Sequence, residues 1–424
     1  MAIIREAVES LKSSLAQALD PEHIIAACHE ARHRWRDRKL NPISTIWLFA
    51  LQILHENTAC AHVARLLIDD QVSDSAYCQA RTRIPLRVFV TLFKRVCLAL
   101  QARERPLSWF GRRVLLVDGS SVSMSDTDEL DQEFGRPSGQ KKGCSFPSMH
   151  LLCLFEAGTG LMLDLVANPL RTHDAKAVRG VHRHLRRGDI LVADRAFGSF
   201  AHLALLVQRG VDGLFRKHQK RKTSFRHGRV LGINDRVISI PKPRQKPSWM
   251  KQSEYEELPE KLEVRIIKFR VEEDGSRTLE VELMTTLTDP EKYPKEELAK
   301  LYLGRWQIEV DFRHLKQTLG MDTLKCKTVD GVLKELYMFG IVYNLVRVTM
   351  LRAAVRQNVP PDRISFIDVL RWLAECRPGD SMPRFKVNPW RPGRHRPRVV
   401  KRRPKGYSSM QPHHVAQIRE ARAC

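Results

Sequence analysis

Apolar residues recur at helical spacing twice in the first hundred positions, in ISTIWLFALQILHE (43–56) and in RVFVTLFKRVCLALQ (87–101). Between them SDSAYCQARTRI predicts a short helix, capped by Ser73 or Ser75 and exposing Arg81 and Arg83. The pattern changes at Arg113. RVLLVDGSS is a β-branched run closed by Asp-Gly, and SMHLLCLFEAGTGLMLDLVA reads as two strands joined at the turn around Gly158 and Gly160. A helix is predicted over 174–187, a buried strand in GDILVADRAF, a helix capped by Ser199 in SFAHLALLVQR, and a further strand in VDGLFRK. Three strands in meander followed by alternating helix and strand is the order of a mixed sheet with helices on its faces.

Farther on, RVISI, KLEVRIIKFRVEE and RTLEVELMTTL alternate with period two and predict an antiparallel β insertion. After TDPEKYP one long helical pattern runs from Lys295 to about Leu319, and further helices are expected to about 377. Residues 384–406 hold ten Lys or Arg, four prolines and no acid, the composition of a flexible basic arm.

Charge changes the picture. The 424 residues carry a formal net charge of +24, which calls for a polyanionic partner, and nucleic acid is the commonest one. An anionic membrane is the competing polyanion, but no long apolar stretch or basic amphipathic helix is expected to accompany the charge. The nine cysteines form no C-x-x-C pair, so neither a zinc site nor a disulfide framework is signalled. The opening MAIIREAVES has no basic flank or apolar run, so a cytoplasmic, nucleoid-associated protein is expected. The pattern divides the chain into a helical, DNA-binding region (1–105), the first part of an α/β domain (106–216), a β-rich insertion (217–293), the second part of that domain with an acid-bearing helix (294–350), and C-terminal helices with the basic arm (351–424).

Within YLGRWQIEVDFRHLKQ, Tyr302, Arg305, Glu309 and Lys316 fall along one stripe of a continuous helix, and Arg313 joins the same face. One acid flanked by a phenol and three cations is not what a core-facing helix needs, although salt-bridging along a solvated face gives the same pattern. Asp118 follows the apolar VLLV and Asp194 follows ILVA, so both acids are expected at the carboxyl ends of buried strands, where open α/β sheets form their ligand crevices. A single Asp there is more often a cap or turn residue. Two of them with a facing acid on a helix form a rarer arrangement.

These segments resemble a large family of bacterial insertion-sequence transposases of the DDE class. The spacing Y-x2-R-x3-E-x6-K is present without a gap as Tyr302, Arg305, Glu309 and Lys316, and VLLVDGSS and ILVADRAFGS resemble the family's first and second acidic motifs. The resemblance covers roughly residues 40 to 350. It implies a ribonuclease H-like α/β catalytic fold with the β insertion placed before the Glu-bearing helix. It also implies two Mg²⁺ ions (Mn²⁺ able to substitute) held by Asp118, Asp194 and Glu309, and cleavage of double-stranded DNA at transposon inverted-repeat ends with strand transfer into target DNA. Tyr302, Arg305 and Lys316 would contact phosphates, and a homodimer assembled on DNA is expected. Hard cations take oxygen ligands, so three carboxylates without Cys or His suit Mg²⁺. A nuclease of the same fold without strand transfer, and a silent DNA-binding relic, share these features.

Other residues are weighed down. Asp126, Asp128, Glu129 and Asp131 read as solvated loop acids, Asp189 as a turn residue, and Asp174 after His173 as a helix cap. Trp306 fits either stacking on a displaced base or packing on the sheet, and Trp249 has the same two options. The basic residues of 217–229 and of the C-terminal arm are expected to bind phosphate without reading sequence.

Overall fold

The computed structural model describes residues 19–389 except 37, 66–71, 105–107, 139–144, 219–220, 222–226, 272–278 and 377–379. Most of the basic arm, together with Lys220, Lys222, Arg226, Cys144 and Cys424, therefore lies outside the described residues.

Among the described residues five helices come first: α1 (Pro21–Glu30), α2 (Pro42–Leu54), α3 (Cys60–Arg65), α4 (Asp74–Arg83) and α5 (Leu86–Arg103). Side-chain caps start three of them, Asp20 for α1, Asn41 for α2 and Ser73 for α4. Arg81 is not an exposed cation. It lies against the Phe49 ring, 3.7 Å from the centroid, and donates to Gln52 Oε1 at 3.0 Å, because the apolar face of α4 turns it inward. Arg83 is exposed.

The sheet follows. β1 (Val114–Ser123), α6 (Asp128–Phe134), β2 (Ser148–Glu156), β3 (Met162–Pro169) and the short α7 (Asp174–Ala177) lead to β4 (Ile190–Ala193), α8 (Phe200–Gln208) and β5 (Asp212–Arg216). β6 (Arg229–Gly232), β7 (Asp235–Pro241), α9 (Gln252–Glu256), β8 (Lys261–Val271) and β9 (Leu279–Thr285) complete the β-rich part. The nine strands form one sheet in the order β3-β2-β1-β4-β5-β9-β8-β7-β6. β1–β4 and β4–β5 are parallel, and the remaining neighbours are antiparallel. The β-rich stretch thus extends the main sheet through β5–β9 rather than building a second one.

Only Asp174–Ala177 of the helix expected over 174–187 is α-helical, and Val178–His184 is a tight 3-10 stretch. Two valines and Gly180 within it lower helix propensity, and Gly180 packs on Val166, where a Cβ would meet side-chain carbons at 3.2 Å. The loop acids are also used by the fold. Thr127 caps α6, Asp126 is buried and paired with Arg136, and Asp189 is buried and takes two bonds from Arg113.

The expected single helix from Lys295 is broken into α10 (Lys295–Gly304), α11 (Trp306–Arg313) and a π-helical turn, His314–Thr318. The break falls at Arg305, directly after Gly304, the residue least committed to helix. α12 (Val329–Gln357) and α13 (Phe366–Glu375) follow. By length and composition α12 is the one described helix apolar enough to cross a membrane, but 89% of its most apolar window is buried inside the protein. It is the core helix against which α5, α2 and β3 pack, so the N-terminal helices and the sheet share one core.

Against Phe215 of β5, His182 and His202 stack at 5.1 Å with their Nε2 atoms 3.1 Å apart, and His202 Nδ1 bonds the Phe197 carbonyl at 2.7 Å. Burial holds both rings neutral, with His182 pushed down to about 3 and His202 to about 4. In the unfolded chain each would protonate near 6.5, so below that pH the unfolded state binds more protons and stability falls. The loss continues down to the folded values and amounts to about 2 kcal/mol per ring by pH 5. Asp118 and Asp311, each pushed up to about 6 by burial, act in the opposite sense over the same window. We therefore expect the pH 7 to pH 5 loss of urea stability to be smaller in His202→Phe than in wild type. Equal losses in the two proteins would contradict it.

Candidate active site

β1 is longer than its sequence signal. It runs past Asp118 to Ser123, paired with β2 on one side and held at its end by Ser123 bonds to the backbone of Asp322 and Leu324. Its parallel pairing with β4 stops earlier, at Leu116 opposite Val192. Continuing that register by two residues sets Asp118 beside Asp194, beyond the last paired rung. This is the opening that parallel strands leave at their carboxyl ends. Asp194 is half-buried, and its side chain makes no capping bond to the turn Arg195–Phe197 that it precedes.

The third acid arrives on α11. That helix is fixed from behind by Phe312, edge-on to Phe155 at 5.9 Å, and by Asp311, fully buried beside Arg347 and Tyr343 of α12. Glu309 is thereby turned toward β1. Arg305, at the joint between α10 and α11, donates Nη1 to Asp118 Oδ2 at 3.3 Å and Nη2 to Glu309 Oε1 at 3.1 Å. One guanidinium bridges two of the three acids. Asp118 is pushed up to about 6: burial is the largest cause, Arg305 and the Gly119 N–H oppose it, and Asp194 and Glu309 add repulsion. Arg305 itself is held more firmly protonated than usual; burial works against its charge, but Tyr302 and the three acids outweigh it.

Tyr302 is buried with its ring 5.8 Å from the Arg305 guanidinium, and burial raises its phenol to about 12. Lys316, within the π-helical turn, donates to Ser120 Oγ at 3.1 Å and to the Ser121 carbonyl at 2.9 Å, tying that turn to β1. Arg313 is exposed, and Trp306 is half-buried at the start of α11. Trp249, by contrast, packs on the core beneath Arg179. In the basic stretch, Lys217 pairs with Glu282, Arg221 is drawn into the interior toward Met284, and Arg229 is exposed.

Sequence reasoning missed a pair next to this cluster. Asp174 does not cap its helix; it faces His150 of β2, with Oδ1 at 2.8 Å from Nε2. Gly119, beside Asp118, is small because of that pair: a Cβ there would meet His150 Nε2 at 2.7 Å and Asp174 Oδ1 at 2.8 Å. The available signal was His150 itself, an isolated polar residue inside the apolar run SMHLLCLF.

Among the described residues, no three acids, histidines or cysteines stand close enough to form a closed metal site by themselves. The donor chemistry nevertheless fits a hard divalent cation. The set is oxygen-only, its acids repel one another, and a positive group already stands between Asp118 and Glu309.

Fold and cluster together define a mixed α/β protein with three acids gathered at the open end of its parallel strands. The family model for the transposase DDE domain matches residues 109–345, more than half of the chain, and the chain belongs to the DDE transposase family, enzymes that cleave and transfer DNA strands. It is 24% identical over 422 residues to the transposase InsG for insertion sequence element IS4 of Escherichia coli (strain K12), covering 93% of both chains. It is 34% identical over 116 residues to the putative transposase y4zB of Sinorhizobium fredii (strain NBRC 101917 / NGR234), covering 27% of this chain and 31% of that one. Among solved structures, the piggyBac transposase synaptic complex with hairpin DNA aligns with 10% identity and a TM-score of 0.49, over 86% of this chain and 79% of that one. Members of the family generally use divalent metal ions.

Proposed function

We propose that this chain cuts DNA at the inverted-repeat ends of its own mobile element and joins those ends to target DNA. The observation that carries the reading is the Asp118–Arg305–Glu309 bridge, with Asp194 close enough to raise the Asp118 carboxyl. In this reading the catalytic fold is ribonuclease H-like, and Asp118, Asp194 and Glu309 hold two Mg²⁺ ions. Bound there, the ions would activate a water or 3′-hydroxyl nucleophile and stabilise the leaving oxygen.

The chain's own residues do the rest. Arg305 turns from the acids to the scissile phosphate and offsets its charge. Tyr302 backs the Arg305 guanidinium from the buried side. Lys316 holds the π-helical turn on β1 and places a second cation near the phosphate path. Arg313 and Trp306, on the accessible side of α11, meet the backbone and bases of the bound end. A homodimer assembled on the two ends completes the reaction, since both must be held together through cutting and joining.

The test uses linear DNA carrying the element's inverted repeats, a target plasmid and Mg²⁺. Cleavage at the repeat ends with joined products is expected. Cleavage without joining would sink the strand-transfer half of the reading, and binding without cleavage would reduce the chain to a DNA-binding relic.

A further inference from the structure

A cavity of about 360 Å³ opens far along the chain from the acids, between the loop that joins α1 to α2 and the end of α4. Its size is that of a small-molecule site, too small for a duplex. Leu40, Pro42 and Ile84 give it apolar walls, and Trp35 lines it half-buried. The Trp35 ring is already held in place, stacked on His33 at 5.9 Å and tilted against His29 at 5.8 Å. Around the cavity stand Arg34, Arg36, Arg38 and Arg83, all exposed. Among the described residues no acid lines it, and none of these four guanidiniums makes an ion pair. The first turn of α2, thirteen residues long and capped by Asn41, opens at the same place and adds its positive end.

Asp37, between Arg36 and Arg38, lies outside the described residues; among the described ones four cations face the cavity with no counter-ion, an arrangement that favours an anion there. An anion alone would not need an aromatic ring and apolar walls. Phosphate bound to a flat aromatic group satisfies both halves of the cavity. A membrane surface would instead require the apolar side chains to project outward.

We propose that this cavity holds one nucleotide of the DNA substrate, its phosphate against the arginines and its base against the Trp35 ring. The inference rests on the reading of the chain as a DNA-acting enzyme and adds a second contact point, away from the acids. No bond is made or broken there; the cavity anchors the DNA while the acids act.

The experiment uses the full chain, DNA duplexes carrying the element's ends, and the same duplexes with 2-aminopurine placed at successive positions. Arg34→Gln/Arg36→Gln is expected to weaken binding about tenfold at about 0.1 M salt and to flatten the log–log salt dependence by about one, the single phosphate held there. Trp35→Ala is expected to keep that salt dependence but abolish the fluorescence change of one 2-aminopurine position, and Trp35→Phe to retain it, which separates lost stacking from lost folding. Unchanged affinity and salt dependence in a folded Arg34→Gln/Arg36→Gln would overturn the proposal. So would a 2-aminopurine response indifferent to Trp35, or loss of binding to phosphatidylserine vesicles with DNA binding intact. The two readings fail separately. If wild type never cuts its ends but the arginine variant still loses DNA, the cavity stands and the enzyme reading falls; if wild type cuts and the cavity variants bind like it, the reverse holds.

Discussion

Glu309→Ala is expected to bind end DNA as tightly as wild type and to cut it at least about a thousandfold more slowly. The two halves have different causes. Removing an anion from a surface that must accept phosphate leaves binding unharmed, since affinity comes from the cations. Cutting suffers because Glu309 is the acid that α11 delivers to the sheet, opposite Asp118. A metal held there would supply several kcal/mol of charge stabilisation in the transition state, and about 4 kcal/mol is a thousandfold in rate. Glu309→Gln should lose as much, because an amide of the same shape cannot replace the charge. Asp118→Asn and Asp194→Asn should behave alike. Gel-shift titration and single-turnover cleavage on the same preparations separate the halves. Cleavage equal to wild type in Glu309→Ala would remove Glu309 from the chemistry altogether, and loss of binding would point to a damaged α11 rather than a missing ligand.

The short apolar strands were legible because burial on both faces leaves a near-continuous run such as VLLV or ILVA, with the acid directly after it. Their pairing was not. That β1 continues past Asp118 depends on a tie to residues 322–324, two hundred positions away, which no local pattern carries. The helix of the third acid was legible as a stripe but not as a jointed element. The joint lies at Arg305, and Lys316 sits in a π-helical turn from which it donates to the Ser120 hydroxyl and the Ser121 carbonyl. Arg81 shows the same limit: an arginine on a short polar helix reads as exposed until tertiary packing sets it on Phe49. The continuity of the β-rich stretch with the main sheet was likewise invisible, because alternation within a strand says nothing about which neighbour it takes.

Arg305→Ala is expected to separate metal binding from catalysis in opposite directions. In the structure the Arg305 guanidinium bonds to both Asp118 and Glu309, so it already provides the positive charge that a divalent ion would bring to them. A cation entering this cluster competes with Arg305 for the same carboxylate oxygens. Glu309 is more than a third exposed, so solvent screening reduces the competition to about 1–2 kcal/mol. Without DNA, the variant should therefore bind Mn²⁺ about tenfold more tightly than wild type, as read by calorimetry or electron paramagnetic resonance. With saturating end DNA the phosphate draws the wild-type guanidinium away from the acids, and the two affinities should converge. By linkage, the metal must then raise DNA affinity more in wild type than in the variant. Cleavage should nevertheless fall in Arg305→Ala, since the cation that meets the phosphate is gone. Weaker or unchanged Mn²⁺ binding in the DNA-free variant would show that Arg305 organises the acids rather than competing for them. Retained full activity would show that the scissile phosphate is neutralised from elsewhere on the chain.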